Sequence, residues 1–268
     1  MQREKITRND LKKNFLKKII MRLDFQGVLQ AEMESIILKV KPFLKGKGFN
    51  RYEEKAVNQI SSNESSLPDI KSQMVFSFTA ESLGYTLEMS NTSIIMTIMS
   101  NTYSPFDQYS AIFCHIATIY NETIDFFTAK RFGLRKINFC FIKDKNKINQ
   151  YFVPAYYNCD IPISGFESKI TEQKNNLSDG LKNLNLRYAI EEGQIDVERY
   201  YKVTLDADIY LTSQDEIMKT VFNEQEIGAI NEKLFSVYIN AITEEFLNVL
   251  ASDREMTTNE ILGVELND

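Results

Sequence analysis

Met21, Leu23 and Phe25 alternate with Arg22, Asp24 and Gln26, the period-two pattern of a half-buried strand, which predicts one over residues 19–28. Leu29, Met33, Ile36, Ile37, Val40 and Leu44 then recur at spacings of three and four. That makes one apolar stripe on a helix stopped by Gly46 and Gly48, with Pro42 expected to kink or end it a turn early. The stretch from Ser61 to Asp69 is Ser-, Asn- and Glu-rich with Pro68 and reads as a surface loop. Strands follow over 74–79, 85–90 and 93–100, joined by short polar turns as in an antiparallel meander. Ser104-Pro105 opens a helix whose buried side is Phe106, Tyr109, Ile112, Phe113, Ile116 and Tyr120.

The second half begins with an aromatic and β-branched strand over 131–143, then a charged loop and a short helix within 148–158. From Ile161 to Asn183 the pattern dissolves into polar residues, which predicts a long mobile loop or a poorly ordered hairpin. Leu184, Leu186, Tyr188 and Ile190 alternate up to a turn expected at Glu192-Gly193, and Tyr201 to Leu211 is the cleanest strand of the chain. Asn223 and Glu226 form an N-cap pairing for a last helix running through Val249.

The fold class is therefore α+β, with antiparallel meander sheets and packed helices. Strand, helix, strands, helix occurs twice, so two arrangements are open. One has two fused units, 19–130 and 131–251, between a basic N-terminal segment (1–18) and an acidic C-terminal tail (252–268). The other is one domain with a continuous antiparallel sheet; the halves share no sequence identity.

Composition adds boundaries to this picture. Hydrophobic residues make up 43% and charged residues 25%, so the chain has the apolar content to build a core. No run approaches the roughly 18 apolar residues that span a bilayer and no signal peptide is evident, so no membrane association and a cytoplasmic location are expected. Cys114, Cys140 and Cys159 lack metal-site or disulfide spacing and read as buried thiols. The net charge of −6 gives no whole-surface attraction for nucleic acid, and any such contact is local. The basic start (Arg3, Lys5, Arg8, Lys12, Lys13, Lys17, Lys18) reads as a solvated end or as an arm reaching for phosphate or an acidic partner. The end, from Glu244 to Asp268, is acidic.

Chemistry has few places to sit. His115 falls on the side of its helix opposite the apolar stripe, so a catalytic triad or dyad through it is not expected. No phosphate-binding glycine loop occurs, and no cofactor is called for. Asp206 and Asp208 share one face of a strand, the two oxygen ligands a hard cation needs at minimum, but Ser164-Gly165 is in the wrong order for a nucleotidyltransferase and no third carboxylate is clear. Asp24, Glu53 and Lys55 match loosely the acidic-residue and E-x-K pattern of a nuclease family. Arg135 shares its face with Ile137, Phe139 and Phe141, and such an arginine needs a partner. Asp206 or Asp208 would pair with it structurally, leaving it more than two-thirds buried; otherwise it would bind an anion. The ligand- or partner-binding set is thus Arg131, Arg135, Asn138, Tyr200, Lys202 and Tyr210, with Asp206 and Asp208 the candidate metal ligands.

The stretch Arg131-Phe132-Gly133-Leu134-Arg135-Lys136-Ile137-Asn138, followed by Leu205-Asp206-Ala207-Asp208 and a long C-terminal helix, resembles a family scattered across bacteria and archaea. Its members are about as long as this chain and carry an R-x-G-L-R-x-I-N strand and an L-D-x-D strand, and the resemblance spans nearly the whole sequence. It implies no activity, cofactor or catalytic residue. Its sporadic occurrence implies an accessory system such as anti-phage defence, in which this chain would be a non-catalytic binding or regulatory component. A protein partner, a homo-oligomer, and nucleic acid through the basic segment are the expected associations. The alternative is a metal-dependent enzyme acting on nucleic acid or nucleotide through Asp206 and Asp208.

Overall fold

The computed structural model describes residues 6–61, 69–99, 105–157, 168–195, 197–252 and 261–266, with backbone alone for 58–61, 69–72 and 266. In chain order its elements are β1 (Lys13–Asn14), β2 (Leu16–Phe25), α1 (Gln30–Gly46), β3 (Arg51–Ser61), β4 (Asp69–Ala80), β5 (Tyr85–Ser90), β6 (Ser93–Met99), α2 (Phe106–Thr123) and β7 (Ala129–Ile142). There follow α3 (Ile148–Tyr151), α4 (Pro154–Tyr157), β8 (Ile170–Ser178), β9 (Asn183–Ile195), β10 (Glu198–Leu211), α5 (Gln214–Val221), α6 (Glu224–Ala241), α7 (Glu244–Ala251), β11 (Ile261–Leu262) and β12 (Glu265–Leu266). The fold is α+β and its strands pair antiparallel.

Two compact units emerge, neither contiguous in sequence. A terminal unit takes residues 1–19, 135–209 and 229–268, and a central unit takes 20–134 and 210–228. The division expected from pattern, with a boundary at 130/131, differs from this one in that residues 1–19 group with the second half and residues 210–228 with the first.

In the central unit the strand order is β3-β4-β5-β6-β2. Met21, Leu23 and Phe25 are buried and Arg22 is exposed, as the alternation requires. Helix α1 buries Met33, Ile36, Ile37, Val40 and Leu44. Its first turn is held by Glu32, whose Oε2 accepts from the Leu29 N–H at 2.8 Å. Pro42 does not end this helix, which runs on to Gly46. The carbonyl that the missing N–H would have met belongs to Leu38, a residue on the exposed side of the helix. The chain leaves through Gly48 at φ +88°, a left-handed conformation that favours glycine. Helix α2 buries Tyr109, Phe113, Ile116 and Tyr120.

In the terminal unit β7, β10, β9 and β8 are successive neighbours, β11 pairs with β7, and β1 pairs with β12. Ile6, Leu11, Lys13 and Ile261 are buried, Arg8 bonds Glu232 at 3.0 Å, and Lys17 pairs with Glu265. The segment expected as a mobile loop or poorly ordered hairpin is, from Ile170 onward, a regular hairpin registered from Ile170↔Glu191 to Ser178↔Asn183. The turn expected at Glu192-Gly193 lies instead inside β9, which continues to Ile195. The last helix is broken: α6 ends at Ala241 and Thr243 caps α7, its hydroxyl accepting from the Phe246 N–H at 3.2 Å.

Candidate functional site

Strand alternation sorts β7 and β10 into two rows. Within the terminal unit Lys136, Asn138, Cys140 and Ile142 share one face of β7, and Arg135, Ile137, Phe139 and Phe141 the other. On β10 the apolar row is Tyr201, Val203, Leu205, Ala207 and Ile209, and the polar row is Tyr200, Lys202, Thr204, Asp206 and Asp208. The polar rows meet: Arg135 donates from Nε to Asp206 Oδ1 at 2.7 Å and from Nη2 to Oδ2 at 2.5 Å. This is a fork-on-carboxylate pair, the strongest geometry the two groups can adopt. The bond to Asp206 raises the Arg135 pKa above the usual arginine value, against the effect of burial, and Asp208 adds to it. The Asp206 side chain is 9% exposed and that of Arg135 45%. The expectation of an arginine more than two-thirds buried is thus corrected: the carboxylate is enclosed, while the guanidinium keeps one side in water, as arginine's long stem allows.

The rest of the expected binding set is engaged as well. Lys202 Nζ lies 4.8 Å from the centre of the Phe139 ring and 3.7 Å from Glu191. Tyr200 donates to Glu198 at 2.7 Å, and Lys143 meets the same carboxylate at 2.7 Å, holding Glu198 below the usual carboxylate range. Asn138 is buried and its side-chain amide donates to the Leu205 carbonyl at 3.1 Å, so it ties β7 to β10. In the central unit the Arg131 guanidinium stacks over Tyr210 at 4.8 Å. A Cβ on Gly133 would come within 2.9 Å of Arg131 Nη1, so glycine leaves the space this guanidinium occupies. Each polar position of the R-x-G-L-R-x-I-N strand therefore has a structural duty.

Asp206 has both carboxylate oxygens in bonds to Arg135, and among the described residues no group of three His, Cys, Asp or Glu side chains is placed to hold a metal ion. Ser164 and Gly165 lie outside the described residues. The Asp24, Glu53 and Lys55 pattern is not brought together. Three strands separate β2 from β3, about 19 Å at the usual strand spacing, and Glu53 is bonded by Arg51 and Lys55. His115 is exposed, its ring 4.0 Å from that of Phe43.

Three features escaped the sequence reading. A groove of about 330 Å³ opens in the terminal unit where Leu177, Leu184, Ile209 and Val237 supply apolar walls and the Asp179–Lys233 pair, at 2.7 Å, sits at its rim. That pair, with two backbone N–H groups, holds Asp179 well below the usual carboxylate range. Lys136 is on the inner face of β7, and burial pushes its amine well below the usual lysine range, with Arg8 adding to the shift and Glu232 opposing it. The third is β8, the end strand of its row. Among the described residues no helix is long and apolar enough to cross a membrane. No protein-family model matches the chain, and neither does any curated protein.

Proposed function

We propose that this chain is a non-catalytic binding component of an accessory system, acting in the cytoplasm on a protein partner. The observation that carries the reading is the Arg135–Asp206 fork: the carboxylate best placed to begin a metal site is already neutralised by an arginine of the same unit. A catalytic Asp206 would have to shed two charge-assisted bonds before offering an oxygen to Mg²⁺. Arg8 and Lys17, cations of the basic start, answer Glu232 and Glu265, which favours a protein over nucleic acid as the partner. The groove beside Val237, with apolar walls and an ion pair at its rim, suits an apolar side chain or small ligand carrying one polar group. An accessory setting such as anti-phage defence rests on the resemblance of the two β-strand motifs.

The test is incubation of the purified chain with labelled DNA, RNA and nucleotides in Mg²⁺ or Mn²⁺, beside capture of partners from its host. No turnover and a reproducible protein partner are expected. Turnover that disappears in Asp206→Asn with Asp208→Asn would replace this reading with the metal-dependent enzyme.

A further inference from the structure

Among the described residues strand β8 pairs with β9 alone and stands at the end of its strand order. It contains no proline and no bulge, since its register with β9 runs unbroken over the whole strand. Proteins commonly blunt such edges, because an exposed ladder templates pairing with another chain. The phase of the ladder can be read from its ends. The Glu192 N–H donates to the Lys169 carbonyl at 2.8 Å and the Asp179 N–H to the Lys182 carbonyl at 3.0 Å, so odd-numbered residues of β8 bond to β9. Backbone groups of Glu172 and Lys174 therefore point outward.

A second copy running antiparallel about a two-fold axis at Gln173 meets this edge in register. Glu172 and Lys174 of one copy then exchange backbone bonds with Lys174 and Glu172 of the other, and each carboxylate lies opposite an ammonium. Moving the axis by one residue sets Glu172 against Glu172, or Lys174 against Lys174. Only the register at Gln173 satisfies both the outward backbone groups and the charges across the centre of the strand. Within each copy Lys174, 74% exposed, and Glu172, 30% exposed, meet each other at 2.8 Å along the strand, and across the axis each would exchange this partner for its counterpart in the second copy. The other end strand, β3, lacks this property. Its Glu53 and Lys55 would oppose each other only about an axis at Glu54, which places two carboxylates face to face.

We propose that the outer edge of β8 joins two copies of this chain into a dimer, centred on Gln173 and specified by reciprocal Glu172–Lys174 pairs. The inference does not depend on the binding role argued above. The experiment is sedimentation equilibrium on the full chain and on Glu172→Lys and Lys174→Glu, alone and mixed. Wild type is expected to dimerise. Each variant alone sets like charges together and should weaken the dimer at least tenfold. Mixing the two variants restores opposite charges on both sides and should recover a heterodimer. Circular dichroism on each variant checks the hairpin, since within one copy Glu172 bonds both Lys174 at 2.8 Å and Arg187 at 2.9 Å. A monomeric wild type, a dimer indifferent to both charge changes, a mixture that stays monomeric, or a strand of another protein found on this edge would each overturn the proposal.

Discussion

Arg135 and Lys136 are consecutive cations on β7, and alternation sends them to opposite faces of the terminal unit's sheet. Arg135 keeps nearly half of its side chain in water and has a two-bond carboxylate partner. Lys136 is on the enclosed face, and among the described residues no carboxylate lies within ion-pair distance of it. Its nearest charged influences are Arg8, which repels it, and Glu232, which is largely exposed and already bonded to Arg8. Asn231 beside Glu232 is buried with its Oδ1 unmatched. The lesson is that on this strand the polar face is arranged for pairing and the inner face carries an unrelieved cation. The two should respond oppositely to truncation.

Arg135→Ala should have the larger effect, a loss of about 2 kcal/mol. That lies between the 0–1 kcal/mol of an exposed pair and the 3–5 kcal/mol of a buried one, because Asp206 is enclosed and Arg135 is not. Thermal unfolding should show a fall of about 5 °C, and a wild-type melting temperature would mean Asp206 finds another donor. Lys136→Met should work in the other direction, raising stability by about 1 kcal/mol in urea titrations, since it fills the same space without the enclosed charge. The pH dependence sharpens this. The folded Lys136 releases its proton at lower pH than the unfolded one, so between its lowered value and the ordinary 10.5 the unfolded state binds more protons and stability rises with pH. Lys136→Met should flatten that rise, and an unchanged slope would place its origin elsewhere. Gly133→Ala should cost least, under about 1 kcal/mol. The group a methyl would meet is the movable end of Arg131 rather than backbone, so the readout is a displaced Arg131–Tyr210 stack in a crystal structure.

These contrasts also mark how far the residues spoke for themselves. The meander of β4, β5 and β6, the stripes of α1 and α2, and the two rows of β10 were legible because each buries one side, and burial of one side writes a period into the chain. Strand β8 was not legible. It is polar on both faces, so nothing separates Thr171-Glu172-Gln173-Lys174 from a loop until β9 supplies the ladder. Gly193 looked like a turn because glycine usually is one, yet here it extends a strand whose end has no packing to specify it. The Arg135–Asp206 face was legible from period two, but the degree of enclosure was not, since that depends on the path of each stem. The place of the chain's ends was also out of reach: β1 and β12 are two-residue strands, too short to carry a pattern.

That last pairing has a consequence for synthesis. Lys13 lies opposite Leu266, so β1 leaves the ribosome some 250 residues before its partner does. The central unit's meander and helices are complete in the nascent chain, apart from α5, well before the terminal unit can close. Until then Phe15, later enclosed by Phe152, Tyr238 and Phe246, has no permanent neighbours. The terminal unit should therefore close only after its last strand has emerged, and a ribosome stalled before residue 246 should display a protease-resistant central unit with residues 6–18 still cleavable.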